Sequence, residues 1–217
     1  MDFHESMLGQ RPFYLGETML KTRHLLARTA CALSLAVLPA FAQEGSMHYS
    51  LGVTYVGGLQ DVVDFYNTEH NGSTSTLIPV GVRFSPYYEF KNGLRLNLDL
   101  GPLAMVAGDV NFTDVPLGAT IGYAFAPSSD DTAYIRVGVR QHMASGSDVD
   151  GSSAGLFAAL GTDFSRDRRV HWGFEVAVDT ATVDFRGYNP AGGNDPLNGT
   201  LHSIKPGKFL ASVQVTF

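Results

Sequence analysis

Cysteine is nearly absent. The 217-residue chain has one, Cys31, so no internal disulfide can form and thiolate metal clusters are excluded. Charge is scarce as well. Asp, Glu, Lys and Arg make up 17% of residues, against roughly 25% in an average soluble domain. Long apolar runs are missing. After residue 42 nothing approaches the ~20 residues that a membrane-spanning helix needs. Yet 44% of residues are hydrophobic and 24 are glycine, too apolar for an intrinsically disordered chain. A chain with these deficits can enter a membrane only as a closed barrel, because in lipid every backbone polar group must be satisfied internally.

The N-terminus reads as an export signal. Residues 19–28, MLKTRHLLAR, form a positive segment, and Thr29 to Pro39 form a short apolar segment. Ala40-Phe41-Ala42 then fits the small-x-small cleavage pattern, with Gln43 as the first mature residue. The apolar segment is too short to anchor in a membrane. Residues 1–18 contain Asp2, Glu5 and Glu17, which such a signal avoids. Translation is therefore expected to start at Met19, with 1–18 a mis-annotated extension, 19–42 the signal and 43–217 the barrel domain. Cys31 follows Arg28-Thr29-Ala30 at the front of the apolar segment, which is the wrong place for lipidation. Four of the 15 Lys+Arg and three of the 21 Asp+Glu precede Gln43, leaving 11 and 18 and a net charge of −7. That acidic balance excludes nucleic acid as a partner.

The mature chain alternates apolar and polar residues, the mark of half-buried strands. Eight stretches do so: 47–56, 78–90, 94–101, 115–125, 133–143, 156–164, 172–185 and 209–217. Each is close to the ~9–11 residues of a tilted transmembrane strand. Lys91-Asn92-Gly93 supplies a tight hairpin turn between the second and third. The stretch from Pro102 to Ala107 is less regular and is expected to hold a bulge. On the apolar face, Tyr49, Tyr55, Phe84, Tyr88, Tyr123, Phe125, Phe164, Trp172 and Phe217 lie mostly near strand ends, where lipid headgroups would be. Phe90 is assigned to the same outward face. A soluble sandwich or a lipocalin-like barrel has the same alternation with the faces exchanged, and alternation alone does not choose between them.

Connection lengths add a second regularity. Segments 57–76, 108–114, 144–154 and 186–206 lie at one end. Segments 91–93, 126–132 and 165–171 lie at the other and are mostly shorter. Long outer loops with short periplasmic turns are the habit of outer-membrane barrels. The last strand alternates Phe209, Ala211, Val213, Val215 and Phe217 with Leu210, Ser212, Gln214 and Thr216. An amphipathic final strand ending in Phe resembles the signal that outer-membrane barrels present to their assembly machinery. Over 43–217 the chain resembles the small eight-stranded outer-membrane proteins of the OmpX, OmpW and opacity-protein type. The resemblance implies an all-β, closed, antiparallel up-and-down transmembrane barrel in the bacterial outer membrane. It further implies a monomer among lipid and lipopolysaccharide, recognised by the barrel-assembly machinery through Phe209, Val213, Val215 and Phe217.

The polar face gathers Arg83, Arg95, Arg136 and Arg140 with Glu89, Asp99, Asp163, Glu175 and Asp179. In a narrow interior such charges need partners, and eight strands leave a lumen about filled by side chains. A lumen closed by ion pairs is the favoured reading, with a structural or surface-interaction role. The alternative is a narrow channel, helped by glycines such as Gly81, Gly101, Gly118, Gly122, Gly138 and Gly161 that would leave a water-filled gap. A lipid A-modifying hydrolase ranks third. Lipid A 3-O-deacylases carry His and Ser two positions apart on one face, with a carboxylate. Here His142 and Ser145 are three apart, with Asp148 beyond, so they fall on opposite faces. No catalytic, cofactor or metal residues are assigned.

In the first outer segment Leu59, Val62, Val63 and Tyr66 have helical spacing, with Asp61 and Asp64 between them. An ordered loop packed on itself is the favoured reading, and a short amphipathic helix capping the mouth is the alternative. Asp61, Asp64, Glu69, Asp109, Asp114, Asp148 and Asp150 are expected to form a solvated acidic rim. They lack the fixed ligand spacing of a calcium loop.

Overall fold

A computed structural model of the chain describes residues 45–69, 79–106, 112–146, 148–187 and 199–217. The expected extension 1–18, the signal 19–42, Gln43 and Asp109 lie outside the described residues, as do parts of the outer segments.

Eight strands close into a barrel: β1 (Gly45–Val56), β2 (Val80–Phe90), β3 (Leu94–Val106), β4 (Phe112–Ala124), β5 (Thr132–Gly146), β7 (Ala154–Phe164), β8 (His171–Asp179) and β11 (Leu210–Thr216). Each pairs antiparallel with its neighbour in that order, and β11 returns to pair with β1. The seam continues one residue further, where Phe217 and Tyr49 exchange backbone hydrogen bonds. The Asn92-Gly93 turn forms because Gly93 takes φ +89°, which a side chain disfavours. The Asn92 side chain there accepts from the Leu94 amide at 3.0 Å.

The bulge lies in β3. Two residues on β3, Gly101 and Pro102, lie between the partners of Val82 and Phe84, which themselves have one residue between them, so Leu100 and Leu103 both face outward across one inserted residue. Without it, every residue past Leu100 would point to the wrong face.

The faces resolve the ambiguity left by alternation. The side chains exposed on the outside are apolar: Leu51, Val53, Val82, Leu98, Val137, Leu156, Leu160, Val178 and Val213 among them. The enclosed ones are largely charged: Arg83, Arg95, Asp99, Arg136, Arg140, Asp163, Glu175 and Asp179. This is the inverse of a soluble barrel or sandwich, and the arrangement that lipid requires. Phe90 is an exception to the expected outward set. It is 1% exposed and packs edge-on against Tyr88 at 4.8 Å.

Beyond the barrel, the loop end departs from expectation in three ways. First, residues 59–69 form a helix, α1 (Leu59–Glu69), rather than a loop. Its Leu59, Val62, Val63, Phe65 and Tyr66 are buried, and that helix-period stripe has something apolar to meet. Second, the expected strand 172–185 breaks after Asp179, and its end becomes a separate strand, β9 (Val183–Arg186). Third, β9 is the centre of a small sheet between β6 (Val149–Ser152) and β10 (Leu201–Ile204). Phe185 of β9 touches Phe65, Tyr66 and Phe112 at ring distances of 5.2, 5.8 and 5.5 Å. The helix and β9 share one apolar core with Val56, Ala104, Phe157 and Leu210 of the barrel wall.

Candidate functional site

The lumen holds a ladder of charge in three layers. The middle layer centres on Glu175 of β8. Its carboxylate accepts from Arg83 Nη1 at 2.5 Å, from Arg136 Nε and Nη2 at 2.7 Å each, and from Tyr134 Oη at 3.0 Å. Arg136 also donates to Asp99 at 2.5 Å, and Ser85 donates to the other oxygen of Asp99. Gln214 joins Arg83 to Tyr134. Strands β2, β3, β5, β8 and β11 are thereby tied across the interior.

The layer toward the turn end centres on Arg95. It donates to Glu89 at 2.6 Å and to Asp163 at 2.8 Å. Its guanidinium stacks on the rings of Tyr87 and Tyr134 at 4.9 and 4.6 Å. Arg166, from the turn before β8, closes on Glu89 from below.

The layer toward the loop end is looser. Arg140 lies 3.5 Å from Asp179 and 3.6 Å from Asp99, with its guanidinium 3.9 Å from the ring centre of Phe157. His142 sits between two carboxylates, with Nδ1 2.6 Å from Asp114 and Nε2 3.3 Å from Asp179.

Large side chains of the ladder lie over lumen glycines. A Cβ on Gly161 would stand 2.3 Å from Tyr134 Cζ, and one on Gly122 would stand 2.9 Å from Arg136 Cβ. Gly161 and Gly122 therefore seat Tyr134 and Arg136 of the ladder. The central void among Arg83, Tyr134, Arg136 and Glu175 measures about 10 Å³, at the threshold for holding one water. Below it, at the turn end, is an open vestibule of about 710 Å³ lined by His48, Glu89, Arg166 and His171.

All nine charged residues that alternation places on the polar face are in this ladder. The nine lack three members of the ladder: His142, Asp114 and Arg166. Asp114 was assigned to the solvated rim, but it is 1% exposed and faces His142. Its strand begins at Phe112, three residues earlier than the pattern indicates, because β3 also runs past its bulge. Arg166 lies in a turn, where alternation carries no signal.

Asp148 is a second correction to the rim, since it is 3% exposed beside Tyr66. Burial, with the Asp148 charge adding to it, pushes the Tyr66 hydroxyl up to about 12. Asp61 and Asp150 do lie at the surface, bonded to Lys208 and Arg186. The hydrolase candidates are not assembled. The ring nitrogens of His142 face Asp114 and Asp179, while Ser145 is exposed. Among the described residues no cluster of three His, Cys, Asp or Glu is arranged to hold a metal.

On the outside, Phe209, Val213, Val215 and Phe217 are exposed along one face of the closing strand. With Trp172, stacked on Phe164 at 4.5 Å, Phe217 adds to the aromatic surface at the turn end.

No protein-family model matches the chain, and no curated protein sequence matches it. Among solved structures it is similar to the outer membrane protein OprG from Pseudomonas aeruginosa. That match has a TM-score of 0.53 at 10% identity and covers 80% of this chain and 95% of that one. Neisserial surface protein A aligns at a TM-score of 0.44 with 15% identity, covering 80% of this chain and 97% of that one. The likeness to OprG is one of fold, and it agrees with the inverted faces described above. The chain has the fold of a small eight-stranded outer-membrane β-barrel.

Proposed function

We propose that this outer-membrane barrel is non-conducting and has a structural or surface-interaction role, presenting its capped loop end outside the cell. One observation carries the reading. The Arg83–Glu175–Arg136–Asp99 layer spans the lumen and leaves a void of about 10 Å³. Ions would have to pass charges held in short, mutually satisfying pairs, and removing one member of such a set costs about 3–5 kcal/mol. The core around α1 adds a second, apolar seal at the loop end.

In this reading the apolar exterior meets outer-membrane lipid and lipopolysaccharide, and the barrel acts as a monomer. Phe209, Val213, Val215 and Phe217 form the strand face offered to the assembly machinery before insertion. The loop end, with its helix and small sheet, is the surface available to partners.

Planar-bilayer recording of the purified full-length protein tests the seal. The expected result is a bilayer without unitary current steps under conditions where a porin control conducts. Steady single-channel openings from the unaltered protein would show a channel and overturn the proposal.

A further inference from the structure

The charges of the lumen ladder balance only if His142 carries a proton. Six buried carboxylates line it: Glu89, Asp99, Asp114, Asp163, Glu175 and Asp179. Five guanidinium groups face them, from Arg83, Arg95, Arg136, Arg140 and Arg166. The sixth cation is the imidazolium of His142. Its geometry says the same. Nδ1 is hydrogen-bonded to Asp114 at 2.6 Å and Nε2 lies 3.3 Å from Asp179 as an ion-pair contact, so a neutral imidazole would turn a bare lone pair toward one of the two carboxylates.

His142 also occupies the least redundant layer. The middle layer is held by hydrogen bonds of 2.5–3.0 Å with several donors on each carboxylate. Around His142 the contacts to Asp179 are 3.3 Å from its own Nε2 and 3.5 Å from Arg140. Among the described residues, Arg140 Nε and Nη2, Asp114 Oδ1 and His142 Nε2 have no hydrogen-bond partner. Asp114 on β4, Asp179 on β8, Arg140 on β5 and, beyond Arg140, Asp99 on β3 are the charged groups that face this imidazole.

Asp179 is the root of the loop-end cap. It is the last residue of β8, and its other carboxylate oxygen accepts from the Ala181 amide at 2.9 Å. Its own amide donates to Gly207 O at 3.1 Å. One residue thus fixes both ends of the segment that carries β9 and β10. Phe185 and Val183 of β9 are fully buried in the core with α1.

We infer that Asp114, His142 and Asp179 form a proton-held latch, in which protonated His142 ties the barrel wall to the cap formed by α1 and β9. Loss of the proton leaves Asp114 and Asp179 in one enclosed layer where, among the described residues, Arg140 faces Asp179 and no cation is paired with Asp114. Repulsion between them then frees the Asp179 arm and loosens the cap, while the middle layer and the barrel stay intact. The latch does not depend on whether the lumen conducts.

Amide hydrogen exchange on the full-length protein in phospholipid vesicles tests this. It is corrected for intrinsic pH dependence and followed from about two units below to about three units above the free imidazole value of about 6.5. The ¹⁵N signals of His142, followed in parallel, report when its ring loses the proton. Protection in α1 and β9 should fall at least about tenfold, the change equivalent to one pKa unit of coupling. It should fall in step with His142 deprotonation, with β11 unchanged. In His142→Gln, α1 and β9 should show low protection at every pH. Protection that stays constant through the His142 titration would overturn the latch, as would the same pH dependence in His142→Gln. If the variant does not fold, the match of the two midpoints in the unaltered protein still decides.

Discussion

Arg136 grips Glu175 across the lumen with two parallel hydrogen bonds, Nε to Oε2 and Nη2 to Oε1, both 2.7 Å. A paired fork of this kind is the strongest geometry available to two side-chain charges. It joins β5 to β8, which are not neighbours in the sheet.

Glu175→Gln should destabilise the folded barrel by about 3–5 kcal/mol, because Arg83 and Arg136 lose their shared counter-charge in an enclosed site. Urea unfolding in detergent micelles measures it. The double variant Arg136→Met, Glu175→Leu should lose less than the sum of the two single changes. A strictly additive result would mean that the fork contributes no coupling.

Gly161→Ala should cost about 1–3 kcal/mol by overpacking, because the new methyl group meets the Tyr134 ring at 2.3 Å. Adding Tyr134→Leu should return part of that loss. Equal stability of Gly161→Ala and the unaltered protein would contradict the tight seat of Tyr134.

Val62→Asp places a charge where no side-chain surface is exposed, in the core between α1 and the barrel mouth. The cap should open to protease, with cleavage inside 59–69, while the barrel retains its heat-modifiable migration on gels. Gln60→Asp, on the exposed side of the same helix, should leave cleavage unchanged. Loss of the whole barrel in Val62→Asp would show that the cap and barrel fold as one unit.

Val137→Arg puts a charge midway along β5 on the outward face. Near the bilayer midplane such a substitution costs about 2–4 kcal/mol, to be read from folding titrations into lipid vesicles. A cost near zero would place this face away from the hydrocarbon.

The turn at Asn92-Gly93, the bulge after Leu100 and the eight alternating stretches were legible in the sequence because each is local. Spacing of two gives a face, and Asn-Gly gives a turn. The helix at Leu59–Glu69 was legible only as a spacing. Its stripe of Leu59, Val62, Val63 and Tyr66 needs an apolar partner, and that partner is Phe185, more than a hundred residues away. Asp114 was misread because its strand starts early, and Arg166 because turns carry no period.

The sequence by itself determined that this chain builds a barrel: strands of membrane-crossing length, short turns at one end, and two faces of opposite character. Alternation is symmetric under exchange of inside and outside, so the girdle aromatics and the loop lengths assign the apolar face outward, and the closed sheet agrees with that choice. Only the pairing across the lumen decided that six carboxylates, five guanidinium groups and His142 meet in one ladder. Those contacts run between strands that are distant in the chain, and closure alone brings them within hydrogen-bonding reach.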